Sequence, residues 1–226
     1  MTKQSFIEQT QSDDLSPREA IMKAAEKVFG SVGFDGATTR EIAREAGVNL
    51  ALIHYYFGNK RTLFEATVKR RADYLNDQRR ALLAQLPDRP PLEQIFESLL
   101  RPAVEIRLLP DGQYFARLVA DVASRTDEQS RALTSAAFDP IAREFSDRIA
   151  AVYPLAGHAK AVRAYMFAIS VSISLMANTG REASLAGAGP MAEDFELDAV
   201  ISDAVAFVTA GAHAILTKTA GQTVKI

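Results

Sequence analysis

Helix-starting and helix-ending signals recur along this chain, and between them apolar residues repeat at the three-to-four spacing of a helix face. Ser16-Pro17-Arg18-Glu19 is a capping box with proline at the first helical position; its cap alone is worth about 1 kcal/mol. Ile21, Ala24, Ala25, Val28 and Phe29 follow on one face, and Gly33 ends the segment. Thr38 and Glu41 form a second box, opening a short helix with Ile42, Ala43 and Ala46 that stops at Gly47. Residues 48–57 read as another short helix closed by Gly58. Asn59 then caps a long helix carrying Leu63, Phe64, Val68, Ala72, Leu75 and Leu82, as far as Pro87.

The pattern stays helical beyond the Asp88-Arg89-Pro90-Pro91 break. Residues 92–109 form one segment, with a kink expected at Pro102 because proline removes a backbone donor and crowds the preceding turn. A helix over 111–122 follows, then two more, 126–137 and 139–152, around a turn at Asp139-Pro140. After a breaker at 153–157, an apolar helix spans 158–179. Residues 180–193 are small and glycine-containing and read as a mobile connection; a last helix covers 195–217. No stretch alternates at period two, and none repeats at a fixed period, so the expected fold is all-α.

Composition narrows the function. The 226 residues hold 26 basic and 28 acidic side chains, so the chain is no uniformly basic nucleic-acid coat. Cysteine is absent, which removes disulfides, thiolate metal sites and cysteine nucleophiles together. His54, His158 and His213 show no ligand spacing and no recognisable partnership with a nucleophile. Neither a metal, a cofactor nor an enzyme is therefore expected. The first residues contain no apolar core of a secretory signal, which points to the cytoplasm. Residues 164–180 carry no charge, yet the run falls short of the ~20 apolar residues of a spanning helix and includes several hydroxyls. It reads as a helix buried in a bundle or between subunits, with no membrane partner.

Residues 38–57 carry the chemistry. Two short helices flank a glycine turn; Ala43 allows their close approach, while Ile42, Val48 and Ile53 stand where packing needs apolar side chains. This is the sequence shape of a helix-turn-helix, whose second helix can enter a major groove. At about 100° per residue, Ile53 and Phe57 share the inward side, and Ala51 and Tyr55 point away with Leu52 and His54 on the flanks. Such a face suits a groove, since methyl groups meet thymine methyls and His or Tyr can bond phosphates or bases. The alternative is that it packs on the larger helical part of the chain. Residues 36–80 hold nine basic and five acidic side chains, an asymmetry expected of a duplex-binding head on an acidic body.

The segment TTREIAREAGVNLALIHYYFGNKRTLF, residues 38–64, resembles the N-terminal domain of TetR-family transcriptional regulators, including its close at Tyr55, Tyr56, Phe57 and Lys60. The resemblance implies about nine helices, a homodimer and a C-terminal ligand pocket. Residues 1–13 are polar and precede the cap at Ser16, so they read as a flexible tail; a DNA-binding domain at 14–60 and a ligand-binding and dimerisation domain at 61–226 are expected after it. By that resemblance Thr38, Thr39 and Arg40 face phosphates. Asn49, Leu50, Ala51, Leu52 and His54 fall where the family contacts bases or nearby backbone, and Tyr55, Tyr56 and Lys60 fall at or beside phosphate contacts. Leucine at both 50 and 52 departs from the polar residues common there, so operator choice is expected to lean on apolar contacts and shape.

The helices at 158–179 and 195–217 are the most apolar, and small residues such as Ala164, Ala168, Ala204 and Gly211 permit close approach. Two per subunit can build a four-helix dimer interface, which a charge at Val208 or Ala168 would disrupt; the alternative is the core of one subunit. Tyr114, Phe115, Leu118, Phe138, Tyr165 and Met166 are candidate walls of an apolar effector pocket, with Arg117 and Arg163 as possible partners for an anionic group. The expected function is a ligand-responsive regulator, usually a repressor in this family. It would bind a near-palindromic double-stranded operator and be released by a small apolar or amphipathic effector. The alternative is an all-α binding protein or enzyme with an incidental helix-turn-helix.

Overall fold

The computed structural model describes residues 16–109, 111–177, 181–185, 187 and 197–218. Among these the protein is all-α, with no strand. The helices are α1 (Pro17–Gly36), α2 (Thr39–Glu45), α3 (Leu50–Phe57), α4 (Lys60–Ala84), α5 (Leu92–Glu105), α6 (Gly112–Ser124), α7 (Glu128–Val152), α8 (His158–Ala177), α9 (Arg181–Leu185) and α10 (Leu197–Thr217), with a 3-10 turn at Ile106–Leu108. Two compact units divide the chain, Met1–Thr67 and Val68–Ile226. The division falls within α4, a little beyond the expected boundary at residue 60. The tail at 1–13 and most of the 180–193 connection lie outside the described residues, although α9 stands within that connection.

In the first unit, local chemistry sets the helix ends. The Ser16 hydroxyl accepts the Glu19 amide, Thr38 that of Glu41, Asn49 that of Ala51, and Asn59 that of Thr62. Asn49 is itself the cap, so α3 starts at Leu50 rather than at Val48. Gly33 interrupts α1 with φ 71°, and Phe34–Gly36 follow as a short turn. Ile21, Phe29, Ile42, Ile53, Leu63 and Phe64 are buried together with Ala25 and Ala43. Lys27 pairs with Glu45, joining α1 to α2.

The second unit packs α5 against α10 and α8 against α7, α6 and α5. Leu92, Ile95, Phe96, Leu99, Ile141, Phe145, Ile149, Tyr165, Ala168, Ile201, Val205 and Val208 belong to one apolar cluster. Leu75, Ala103, Ile106, Phe115, Ala116, Val119 and Met176 form another, and Phe138 packs against both. Arg101 binds Glu97 and Glu105 on its own helix and Asp198 on α10. Gly112 is fixed by space: a Cβ there would lie 1.8 Å from the Ile106 carbonyl oxygen, so α6 can start against the 3-10 turn only without a side chain.

Two prolines sit inside helices, Pro102 in α5 and Pro140 in α7. The segments expected as two helices around Pro140 are one helix. A proline loosens the carbonyls one turn before it, and both helices meet this the same way. Asn76 Nδ2 donates to the Ala137 carbonyl at 2.8 Å, three residues before Pro140. Arg79 Nε donates to the Leu99 carbonyl at 3.0 Å, three residues before Pro102. Two polar residues one turn apart on α4 therefore each bond a carbonyl of a proline-containing helix.

By length and composition, α8 and α10 could each cross a membrane. In this fold each gives one stripe to the core, Ala161, Ala164, Tyr165, Ala168 and Ser172 from α8 and Ile201, Ala204, Val205, Val208 and Ala212 from α10. Ala168 and Val208, expected at a dimer interface, are core residues of the single chain. The apolar side chains exposed on these helices are instead Val162, Met166 and Phe167 on α8 and Phe207 on α10.

Candidate nucleic-acid interface

The turn between α2 and α3 is built from backbone bonds. The Gly47 amide donates to Arg44 O at 3.2 Å and that of Val48 to Ala43 O at 3.0 Å. Gly47 itself takes φ 66°, a left-handed conformation that costs a side-chain-bearing residue 1 kcal/mol or so. With Ile53 and Phe57 buried, the opposite side of α3 is presented: Tyr55 is 80% exposed, and Ala51, His54 and Tyr56 are exposed with it. Leu50 and Leu52 are half-buried, leaving part of each apolar surface for a partner. The Tyr55 and Tyr56 rings meet edge to face at 5.0 Å, which holds both phenols beside the helix end.

His54 Nδ1 lies 3.0 Å from the Gly58 carbonyl. A carbonyl only accepts, so Nδ1 donates to it, and in a neutral ring Nε2 is then an acceptor. The side chain is thereby oriented, with one nitrogen left to meet a base-edge donor. Thr38 and Asn49 spend a side-chain oxygen on their caps, so further contacts from either must use what the cap leaves over. Thr39 is half-buried at the first turn of α2, and Arg40 is exposed beside it.

Lys60 has another task. Its Nζ donates to the carbonyls of Phe34 and Ala37 at 2.8 and 2.9 Å and stands 4.4 Å from the Phe34 ring centroid. These carbonyls follow the break at Gly33, so the lysine supplies donors that the ended helix lacks. Sequence carried a signal for this: a cation at the first position of α4 opposes the helix dipole and calls for a tertiary acceptor.

The expected charge asymmetry does not follow the fold. Lys69, Arg70, Arg71, Arg79 and Arg80 belong to the second unit. There Lys69 pairs with Asp73 and Arg80 with Glu144, while Arg79 is buried. Around the helix-turn-helix the exposed or half-exposed cations of the head include Arg18, Arg40, Arg44 and Arg61.

Of the candidate pocket walls, Phe115, Leu118 and Tyr165 are buried, while Phe138 and Tyr114 are half-buried. Met166 is 51% exposed on the outer side of α8 and leaves this group. Arg117 and Arg163 are exposed. The buried arginine is Arg79, which sequence reading had counted among the basic residues of the head.

A capped α2, a glycine turn and an α3 with an exposed tyrosine, histidine and alanine face define a helix-turn-helix protein of the DNA-binding regulator class. Residues 21–67 match the family described as "Bacterial regulatory proteins, tetR family", and residues 97–211 match the "Tetracyclin repressor-like, C-terminal domain". The chain belongs to the TetR family of transcriptional regulators. It is 32% identical over 111 residues to the HTH-type transcriptional dual regulator CecR of Shigella flexneri, covering 46% of this chain and 49% of that one. It is 45% identical over 60 residues to the HTH-type transcriptional regulator BetI of Rhizobium meliloti, covering 26% and 30%. The chain thus spans half or less of these curated relatives. Among solved structures it is similar to the fatty acid degradation regulator FadR of Bacillus halodurans, with a TM-score of 0.67 at 14% identity over 88% of this chain and 98% of that one, a likeness of fold.

Proposed function

We propose that this chain is a ligand-responsive repressor that binds a near-palindromic operator as a homodimer in the cytoplasm and leaves it when a small amphipathic effector occupies the second unit. The observation that carries this reading is the face of α3. Two buried anchors, Ile53 and Phe57, fix the helix, and Ala51, His54 and Tyr55 are turned outward, where a solvent-facing helix would place charge. Thr38, Thr39, Arg40, Asn49, Leu50, Leu52 and Tyr56 complete the proposed DNA surface. Catalysis plays no part in this proposal.

The homodimer is supported by the outer sides of α8 and α10. Phe167 is 56% and Phe207 73% exposed in the single chain, beside Met166 and Val162. Large aromatic side chains exposed on two apolar helices favour an interaction surface, and a two-fold pairing of α8 and α10 would cover them. Two heads on one dimer then meet half-sites about one helical turn (~34–36 Å) or a longer spacing apart.

Effector and operator must oppose each other reciprocally if the protein is released on binding. Calorimetric titration of an effector into the protein, with and without saturating operator, reads this directly. The repressor reading expects weaker effector binding in the presence of DNA, by the same factor as the effector weakens DNA binding. Equal affinities in the two titrations contradict it.

A further inference from the structure

Arg79 is 2% exposed in the middle of the second unit, and among the described residues no carboxylate pairs with it. Its Nε satisfies the Leu99 carbonyl three residues before Pro102, and Nη2 reaches Ser172 Oγ only at 3.4 Å, the outer limit of a hydrogen bond. Supporting a carbonyl requires one N–H and no charge, so that contact accounts for Nε and leaves the rest of the guanidinium unexplained. Burial lowers its pKa to about 10, which still leaves it protonated at neutral pH. A buried cation without a counter-charge is held at a cost that a neutral side chain of the same size would avoid.

One turn earlier on α4, Asn76 repeats the pattern. Its Nδ2 serves the Ala137 carbonyl, while its Oδ1 is buried without a hydrogen-bond partner. Tyr165, two turns before Ser172 on α8, is also buried and feels the charge of Arg79. These groups lie where the two apolar clusters of the unit adjoin. Leu99 and Ala168 belong to one, Leu75 and Met176 to the other, and Phe138 packs against both. A donor-rich cation and a hydroxyl enclosed by apolar residues are complementary to an anion carried on an apolar body, and the orphaned acceptor to a separate donor on it.

We propose that Arg79, with Ser172, receives the anionic head of the effector, and that this head is a carboxylate on an apolar skeleton. The guanidinium offers the carboxylate its uncommitted N–H groups, Ser172 adds a hydroxyl, and Asn76 Oδ1 accepts from a donor on the ligand. The apolar body lies among Phe115, Phe138 and Tyr165. This deepens the effector-responsive reading above and rests on it for its regulatory meaning; the site itself is tested without DNA.

The probes are benzoate, 2-hydroxybenzoate, octanoate and decanoate, each compared with its primary amide, which keeps the shape and removes the charge. Calorimetry and thermal unfolding of the full chain should show at least one carboxylate binding ten-fold or more tighter than its amide. In Arg79→Met that preference should vanish, with circular dichroism confirming that the ligand-free variant remains folded. Ser172→Ala should weaken the carboxylate several-fold and leave the amide unchanged, and it serves if Arg79→Met does not fold. The proposal is overturned if none of the four carboxylates binds, if the amides bind equally well, or if both variants keep the preference. Carboxylate binding that leaves operator affinity untouched contradicts the switch and not the site; operator binding with no carboxylate preference contradicts the site alone.

Discussion

The Lys60 ammonium donates to the Phe34 carbonyl at 2.8 Å while lying 4.4 Å from the centre of the same residue's ring. One side chain thus closes the end of α1, begins α4 and packs on the aromatic group of Phe29, Phe34 and Phe64. Read from sequence alone, Lys60→Ala would weaken every DNA equally by removing one phosphate contact. The two bonds inside the head add a second expectation. Losing two charge-assisted bonds should destabilise the head by about 1.5–3 kcal/mol. Thermal unfolding should show a clear drop, with DNA affinity falling through the loss of the folded head. An unchanged unfolding temperature together with a shallower salt dependence would support the phosphate role instead.

Base choice and overall affinity should separate along α3. Tyr55 is freely exposed at the helix end, whereas Leu52 is half-buried on the flank of the outward face. Tyr55→Phe removes one hydroxyl and should weaken all operators alike, several-fold. Leu52→Ala should re-rank them, with changes of about 1–3 kcal/mol at one or two base positions. Binding to a set of single-base operator variants distinguishes the two patterns, and uniform scaling by both substitutions would contradict the division.

Phe207→Asp should convert the protein to monomer without unfolding it, because Phe207 is 73% exposed in the single chain. Val208→Asp should unfold it, since that neighbour is buried in the core. Sedimentation equilibrium with circular dichroism separates these outcomes. A dimer untouched by Phe207→Asp would move the interface away from α8 and α10.

Asp127 caps α7, accepting the Ser130 amide at 2.9 Å. Hydrogen bonds from the Ser130 hydroxyl and amide hold its carboxyl below the ordinary 3.8. A depressed folded pKa stabilises above the unfolded value and stops doing so as pH falls through the folded one. Asp127→Ala should therefore unfold at a lower temperature than wild type at pH 7, and the difference should narrow below about pH 4. A difference independent of pH would show that the carboxylate charge does not matter to the cap.

What could be read from sequence was local, and what could not was tertiary. The caps at Ser16, Thr38 and Asn59 each act on an amide three residues away, so spacing alone reveals them, whereas the Asn49 cap lies inside the helix expected from residue 48. The outward turn of Tyr55 followed from helix geometry once Ile53 and Phe57 were placed inside. Pro140 misled because its loosened carbonyls are met by Asn76, 61 residues earlier in sequence, so the helix continues where a break was expected. Arg79 falls among the nine basic side chains of residues 36–80, and no pattern within α4 tells an inward arginine from an outward one. On α8 and α10 the small residues Ala168 and Ala204 suit a core as well as an interface. Only the packing assigns them inward and gives Phe167 and Phe207 to the outer side.

Selection of bound duplexes from a random pool by the ligand-free protein tests the central claim most directly. The account predicts enrichment of one near-palindromic site, occupied by two chains, with half-sites at least one helical turn apart and enrichment lost in a variant carrying Leu50→Asp and Tyr55→Ala. A pool that emerges unchanged, or a site enriched equally by that variant, would contradict it.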